Sequence, residues 1–144
     1  DLDEFKGIND SLGHDTGDRV LTNIGRRLQG AVRDQDLLAR WGGDEFVVLA
    51  AISSEHDVGP LAERVQEAFT HPVTAYGHRF AVRASIGVAL YPDDDRSPNR
   101  LIHLADLAMY RTKREARGSW ERYHPDHVVD PTVPVDPRGT RSSP

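Results

Sequence analysis

The residues most capable of chemistry lie in two short stretches. Asp1-Leu2-Asp3-Glu4-Phe5-Lys6-Gly7-Ile8-Asn9 crowds carboxylates and a lysine together. Arg40-Trp41-Gly42-Gly43-Asp44-Glu45-Phe46 sets two more carboxylates directly after a pair of glycines. Carboxylate oxygens are hard donors of the kind Mg²⁺ takes, and Mg²⁺ held this way keeps its other positions for water and phosphate oxygens. Glycines beside them leave the backbone uncovered, so a bulky ligand can come close. Each piece alone has an ordinary reading. Gly-Gly is a common hairpin turn, and Asp-Glu after it is a solvated pair. A strand end and a hairpin tip that converge would turn the two stretches into one metal-phosphate site.

The elements that must position these residues follow from the apolar pattern. Asp1 to Asp15 reads as a loop with a short helical turn, since Leu2, Phe5, Ile8 and Leu12 lie three or four apart. A helix is predicted from about Asp18 to Val32, with Val20, Leu21, Ile24, Leu28 and Val32 as its stripe. Asp36–Trp41 and Phe46–Ala51 read as the strands of a hairpin around Gly42-Gly43. A second helix is predicted over Gly59–Phe69, with Pro60 in its first turn. Val73–Tyr76 and a long arm, Arg79–Leu90, alternate as a second hairpin around Gly77-His78. Ser97-Pro98 starts a helix that ends near Gly118, and Trp120–Tyr123 reads as a final edge strand. The order predicts an α/β fold of the α+β sandwich type, with a mainly antiparallel central sheet flanked by helices.

Composition bounds the function. The chain has 144 residues, 38% of them hydrophobic, which suits one domain with a core. A net charge of −5 argues against broad binding of nucleic acid, though a small phosphate ligand remains accessible through a divalent cation. With no cysteine, disulfides, thiolate nucleophiles and cysteine-ligated zinc are excluded. No apolar run is long enough to cross a bilayer and no signal peptide is visible, so a cytoplasmic domain is expected, with an upstream membrane anchor left open. Residues 1–127 are read as the domain, and 128–144, rich in Pro, Asp, Gly, Thr and Ser, as a disordered tail.

The ordered motifs resemble one family. Arg40-Trp41-Gly42-Gly43-Asp44-Glu45-Phe46 is similar to the signature of the GGDEF diguanylate cyclases, with none of the five named letters substituted. Asp1 to Asp10 matches the upstream D-x-D-x-F-K-x-x-N-D segment, and Gly13-His14-Asp15-Thr16-Gly17-Asp18 matches G-H-x-x-G-D. Ser85-Ile86-Gly87-Val88-Ala89 and the run from Ala105 to Lys113 match later blocks. Ordered motifs of this kind are far more specific than a lone short pattern.

The resemblance implies a nucleotidyl cyclase or polymerase palm fold and a defined set of roles. Asp1 and Asp44, with the Leu2 carbonyl, would bind Mg²⁺, or Mn²⁺ in its place. Asp44 and Glu45 would be catalytic, Glu45 activating the attacking hydroxyl. Two GTP would condense to cyclic di-GMP and two pyrophosphates by 3′-OH attack on the α-phosphate. Asn9 and Asp18 would read guanine, whose N1 and N2 donors suit a carboxylate. Lys6, Lys113 and Arg117, with backbone N–H groups around Phe5, would hold phosphate. Gly42 and Gly43 would admit the nucleotide. Arg33 and Asp36 match an R-x-x-D site for cyclic di-GMP as inhibitor, with Arg64 as a second arginine. Read alone, Asp18 and Arg33 are residues placed to suit helix dipoles, and the lysines and Arg117 are surface cations. A homodimer is implied in the active state, as is an upstream sensor domain.

The sequence departs from the family pattern at its start. The family places a helix, a D-x-L-T-G-L-x-N-R segment and most of a central strand before Asp1. The chain is therefore expected to lack them, to carry Asp1 as a frayed end, and to be unstable or inactive alone. After Lys113 the family's K-x-x-G-R-N becomes Lys113-Arg114-Glu115-Ala116-Arg117-Gly118, which keeps the arginine but changes the turn. A catalytically silent module that binds GTP or cyclic di-GMP is the alternative function, and an inactive fragment a third.

Overall fold

A left-handed residue shapes the opening of the chain. Glu4 (φ 60°) ends a two-residue strand, β1 (Leu2–Asp3), and turns the backbone directly into helix α1 (Phe5–Leu12). The computed structural model describes residues 1–126, so the tail expected at 128–144 lies outside the described residues. The expected opening loop is thus a strand and a full helix. Helix α2 (His14–Ala31) begins at His14 rather than Asp18, and its first turn is tied back by the Thr16 hydroxyl donating to the Leu12 carbonyl at 2.9 Å. Four residues of its predicted stripe, Val20, Leu21, Ile24 and Leu28, are buried, with Val20 and Ile24 fully enclosed, while Val32 lies half-buried at the helix's end.

Strands β2 (Leu37–Gly42) and β3 (Glu45–Leu49) form the expected hairpin, with a register shift between Arg40 and Gly42. A 3-10 turn at Glu55–Asp57 leads into α3 (Val58–Glu67). Strands β4 (Val73–Ala75) and β5 (His78–Phe80) make a short antiparallel pair. The long arm expected at Arg79–Leu90 is not one strand. It breaks into β5, β6 (Arg83–Ala84) and β7 (Ile86–Val88) because the chain changes neighbours: β6 pairs antiparallel with β1, and β7 pairs with the last strand, β8 (Trp120–Arg122). That last pair is parallel. Parallel neighbours need a crossover, and α4 (Pro98–Glu115) supplies it. The fold is α+β, with antiparallel pairing everywhere among the described strands except β7–β8.

Two features fix the layers. Leu2, Phe5, Val20, Leu21, Ile24, Leu28, Val65, Val73, Val82 and Ala84 form the core, with Leu38, Phe46 and Ile86 packed against it. On the other side α4 lies directly on β7 at Gly87, where a Cβ would overlap the Ala105 carbonyl oxygen and crowd the Met109 nitrogen. Backbone meets backbone there, which only glycine allows. The contact sets the height of α4 over the strands, and with it the place of the cations near the helix end.

Candidate active site

The site assembles where β1, the β2–β3 tip and the end of α4 meet. The Leu2 N–H donates to the Asp44 carbonyl at 3.3 Å, which joins the two carboxylate stretches through their backbones. At the tip Gly43 takes φ 44° and the Arg40 Nε donates to its carbonyl at 2.9 Å, pinning the turn. No atom lies within 4 Å of where a Cβ would stand on Gly42 or Gly43, so the backbone beside Asp44 is open. Asp44 and Glu45 are both half-buried there.

Asp1 is tied down rather than frayed, because Ser85 meets it on both backbone groups. The Asp1 amino group donates to the Ser85 carbonyl at 3.1 Å, and the Ser85 N–H donates to the Asp1 carbonyl at 3.0 Å. Its side chain accepts from the Lys113 ammonium at 2.6 Å. Arg117 closes the same side. It donates to the Glu4 carboxylate at 2.7 Å and to the Lys113 carbonyl at 3.2 Å. These pairs hold the end of α4 over β1, and two of the three cations expected to grip phosphate, Lys113 and Arg117, sit at that junction.

Charge in the site is crowded. Glu45 is pushed up, first by burial and then by neighbouring Asp106, with Asp44 adding to it and Lys113 opposing. Burial holds Lys113 below the ordinary lysine range despite the opposing pull of Asp3, Asp44, Glu45 and Asp106. Asp3, Ser85 and Asp106 had no role assigned from sequence. Asp3 shares a strand face with Asp1, and Asp106 lies two helical turns before Lys113, so both periodicities carried the signal.

Among the described residues, no group of three or more His, Asp or Glu side chains stands ready to hold a metal ion. The expected set is smaller: two carboxylates and the Leu2 carbonyl. Their hard-oxygen chemistry fits Mg²⁺, and Asp1 already accepts a cation, the Lys113 ammonium.

The remaining predicted residues fall in two places. On α1 and α2, the Asn9 amide oxygen lies against Gly17, beside exposed Asp18, so the two expected guanine readers are neighbours. Phe5 is buried at the start of α1 and Lys6 is exposed on it. Away from this site, Arg33, Asp36 and Arg64 line one open cleft with Ile52, Asp57 and Leu61. The Arg33 N–H donates to Asp36 Oδ2 at 2.9 Å, and Arg64 donates to the Ala31 carbonyl. Asp36 is only 8% exposed, and its Oδ1 is buried without a partner. No helix among the described residues is long and apolar enough to cross a membrane.

Comparison with known proteins points to one family. The family described as "Diguanylate cyclase, GGDEF domain" matches residues 1–119. The chain is 46% identical over 121 residues to the diguanylate cyclase TpbB of Pseudomonas aeruginosa, covering 83% of this chain and 28% of that protein. It is 40% identical over 119 residues to the cyclic di-GMP phosphodiesterase NbdA of Pseudomonas aeruginosa, covering 83% of this chain and 15% of that one. It therefore spans well under a third of either relative. A solved structure of the GGDEF domain of TpbB superposes with a TM-score of 0.82 at 44% identity, covering 86% of this chain and 73% of that chain. The sequence motifs, the fold and these matches agree: the chain belongs to the GGDEF domain family.

Proposed function

We propose that this protein condenses two GTP into cyclic di-GMP and two pyrophosphates. The observation that carries the reading is the meeting of Asp1, Asp44, Glu45 and Lys113 beside an open Gly42-Gly43 tip. Asp1, Asp44 and the Leu2 carbonyl would hold Mg²⁺, or Mn²⁺ in its place. When bound, the cation neutralises the triphosphate and polarises its phosphoryl oxygens. The chain's own residues do the rest. Lys6, Lys113, Arg117 and the N–H groups around Phe5 take the phosphates, and Asn9 with Asp18 takes the guanine edge. The Glu45 carboxylate accepts the proton of the 3′-OH, a task suited to a carboxylate whose pKa is raised. The O3′–Pα bond forms as the Pα–O bond to pyrophosphate breaks, and the electron pair leaves with pyrophosphate. Each protomer holds one GTP, so two must face one another. Arg33, Asp36 and Arg64 take cyclic di-GMP as inhibitor.

A second reading, a domain that binds cyclic di-GMP without making it, is favoured by the cleft with its unpartnered Asp36 oxygen. The test strips the purified protein of bound cyclic di-GMP, adds GTP and Mg²⁺, and follows products by chromatography. Cyclic di-GMP formed by the wild type and absent with Asp44→Ala supports the cyclase. No product from folded, stripped, dimeric protein that still binds cyclic di-GMP supports the binding module.

A further inference from the structure

Ser85 is fully buried and clasps β1 from one side. Besides its two backbone bonds to Asp1, its hydroxyl donates to Asp3 Oδ1 at 2.8 Å. The other oxygen, Asp3 Oδ2, is buried with no hydrogen-bond partner. A buried carboxylate oxygen is costly to leave unpaired, so Asp3 Oδ2 is an acceptor ready for a nearby donor. Asp1, paired to Ser85 through its backbone, directly precedes β1 and stands two residues before Asp3, so the two share a face. The Lys113 ammonium occupies Asp1 Oδ1 at 2.6 Å. A divalent cation bound at that carboxylate would repel this ammonium and compete with it for the oxygen.

We propose that Asp3 is the acceptor onto which the Lys113 ammonium moves when Asp1 takes a divalent cation, and that the Ser85 hydroxyl is the positioning residue that keeps Asp3 turned for the exchange. The inference rests on the reading that Asp1 and Asp44 hold the cation. It gives the orphaned oxygen a partner and keeps Lys113 inside the site, next to the phosphates it must meet. It also gives the buried serine a task that its backbone bonds alone would not need. Asp3 in this scheme is not a metal ligand. Its effect on the cation runs through Lys113.

That distinction makes the proposal testable without turnover. Mn²⁺ alone is titrated into nucleotide-free protein, and free Mn²⁺ is read by electron paramagnetic resonance. Asp3→Asn is expected to weaken Mn²⁺ binding about tenfold, the scale of losing an outer-shell partner, because the ammonium then stays on Asp1. In a Lys113→Met background the same Asp3→Asn change is expected to have no effect. Ser85→Ala shifts affinity in the same direction as Asp3→Asn, with thermal midpoints recorded for every variant. If Ser85→Ala does not fold, the Asp3–Lys113 cycle decides alone. Unchanged affinity in Asp3→Asn overturns the exchange. So does a tenfold loss that persists with Lys113→Met, which would make Asp3 a direct ligand. Asp44→Ala separates this from the underlying reading: if it leaves Mn²⁺ affinity intact, the cation site itself falls and the exchange with it.

Discussion

Glu45 opens β3 half out of water with Asp106 nearby, and both push its carboxyl towards the neutral form. That arrangement has a measurable cost. With the folded-state pKa above the unfolded one, both states hold the proton in acid and Glu45 is neutral in its effect there. As pH rises through the folded-state value, the charge is disfavoured in the fold and stability is lost. Glu45→Gln should therefore raise the thermal midpoint at neutral pH by about 2 °C, a modest figure because the group is partly solvated, and the gain should vanish in acid. Product formation should fall in the same variant. A midpoint that drops at neutral pH would sink the account. Arg33 gives the second prediction at this scale. If the cleft takes cyclic di-GMP, Arg33→Ala removes a charge-assisted grip worth on the order of 3 kcal/mol and abolishes binding in calorimetry. Unchanged affinity would empty the cleft of that role. The motif letters named Asp1, Asp44, Glu45, Arg33 and Asp36 as candidates from sequence, and the structure places the first three together and the last two in one cleft. Ser85 was not, because a serine in an apolar run acquires meaning only from what faces it.

Between elements, the contact with least tolerance is α4 on β7. A Cβ at Gly87 would meet backbone atoms of Ala105 and Met109, which have no rotamer to escape into. Gly87→Ala should destabilise by about 3 kcal/mol, read as a lower urea midpoint, and should weaken GTP binding as well, since α4 carries Lys113 and Arg117 to the site. A variant with the wild-type midpoint would show that the helix can lift at no cost. Helix positions were readable because apolar stripes repeat on one face, as with Val20, Ile24 and Leu28 on α2. The strands between Arg79 and Leu90 were less readable. Alternation reports that a segment is extended, not which neighbour it pairs with. The switch of partner from β1 to β8 around Ser85 has no local signature, and neither does the parallel sense of β8.

At the scale of the whole molecule, the chemistry asks for more than one chain supplies. The proposed product contains two phosphodiester bonds, each joining the 3′ oxygen of one GTP to the α-phosphorus of the other, while the open tip offers one carboxylate set per protomer. On the proposed reaction, two copies would present their tips to each other across a two-fold axis, each copy activating one of the two bonds. Specific activity should rise with protein concentration until the pair saturates. Mixing supplies the sharper measurement. Adding a several-fold excess of Asp44→Ala chain should draw wild-type copies into mixed pairs, in which the wild-type half closes one bond and the other bond fails. Cyclic product per wild-type chain should fall, and the linear dinucleotide that still carries a triphosphate should accumulate in the chromatogram. If the excess mutant leaves cyclic product per wild-type chain unchanged while size exclusion shows the two chains associating, both bonds are being made within one protomer. The facing-pair reading would then be wrong, even with the carboxylates placed as they are.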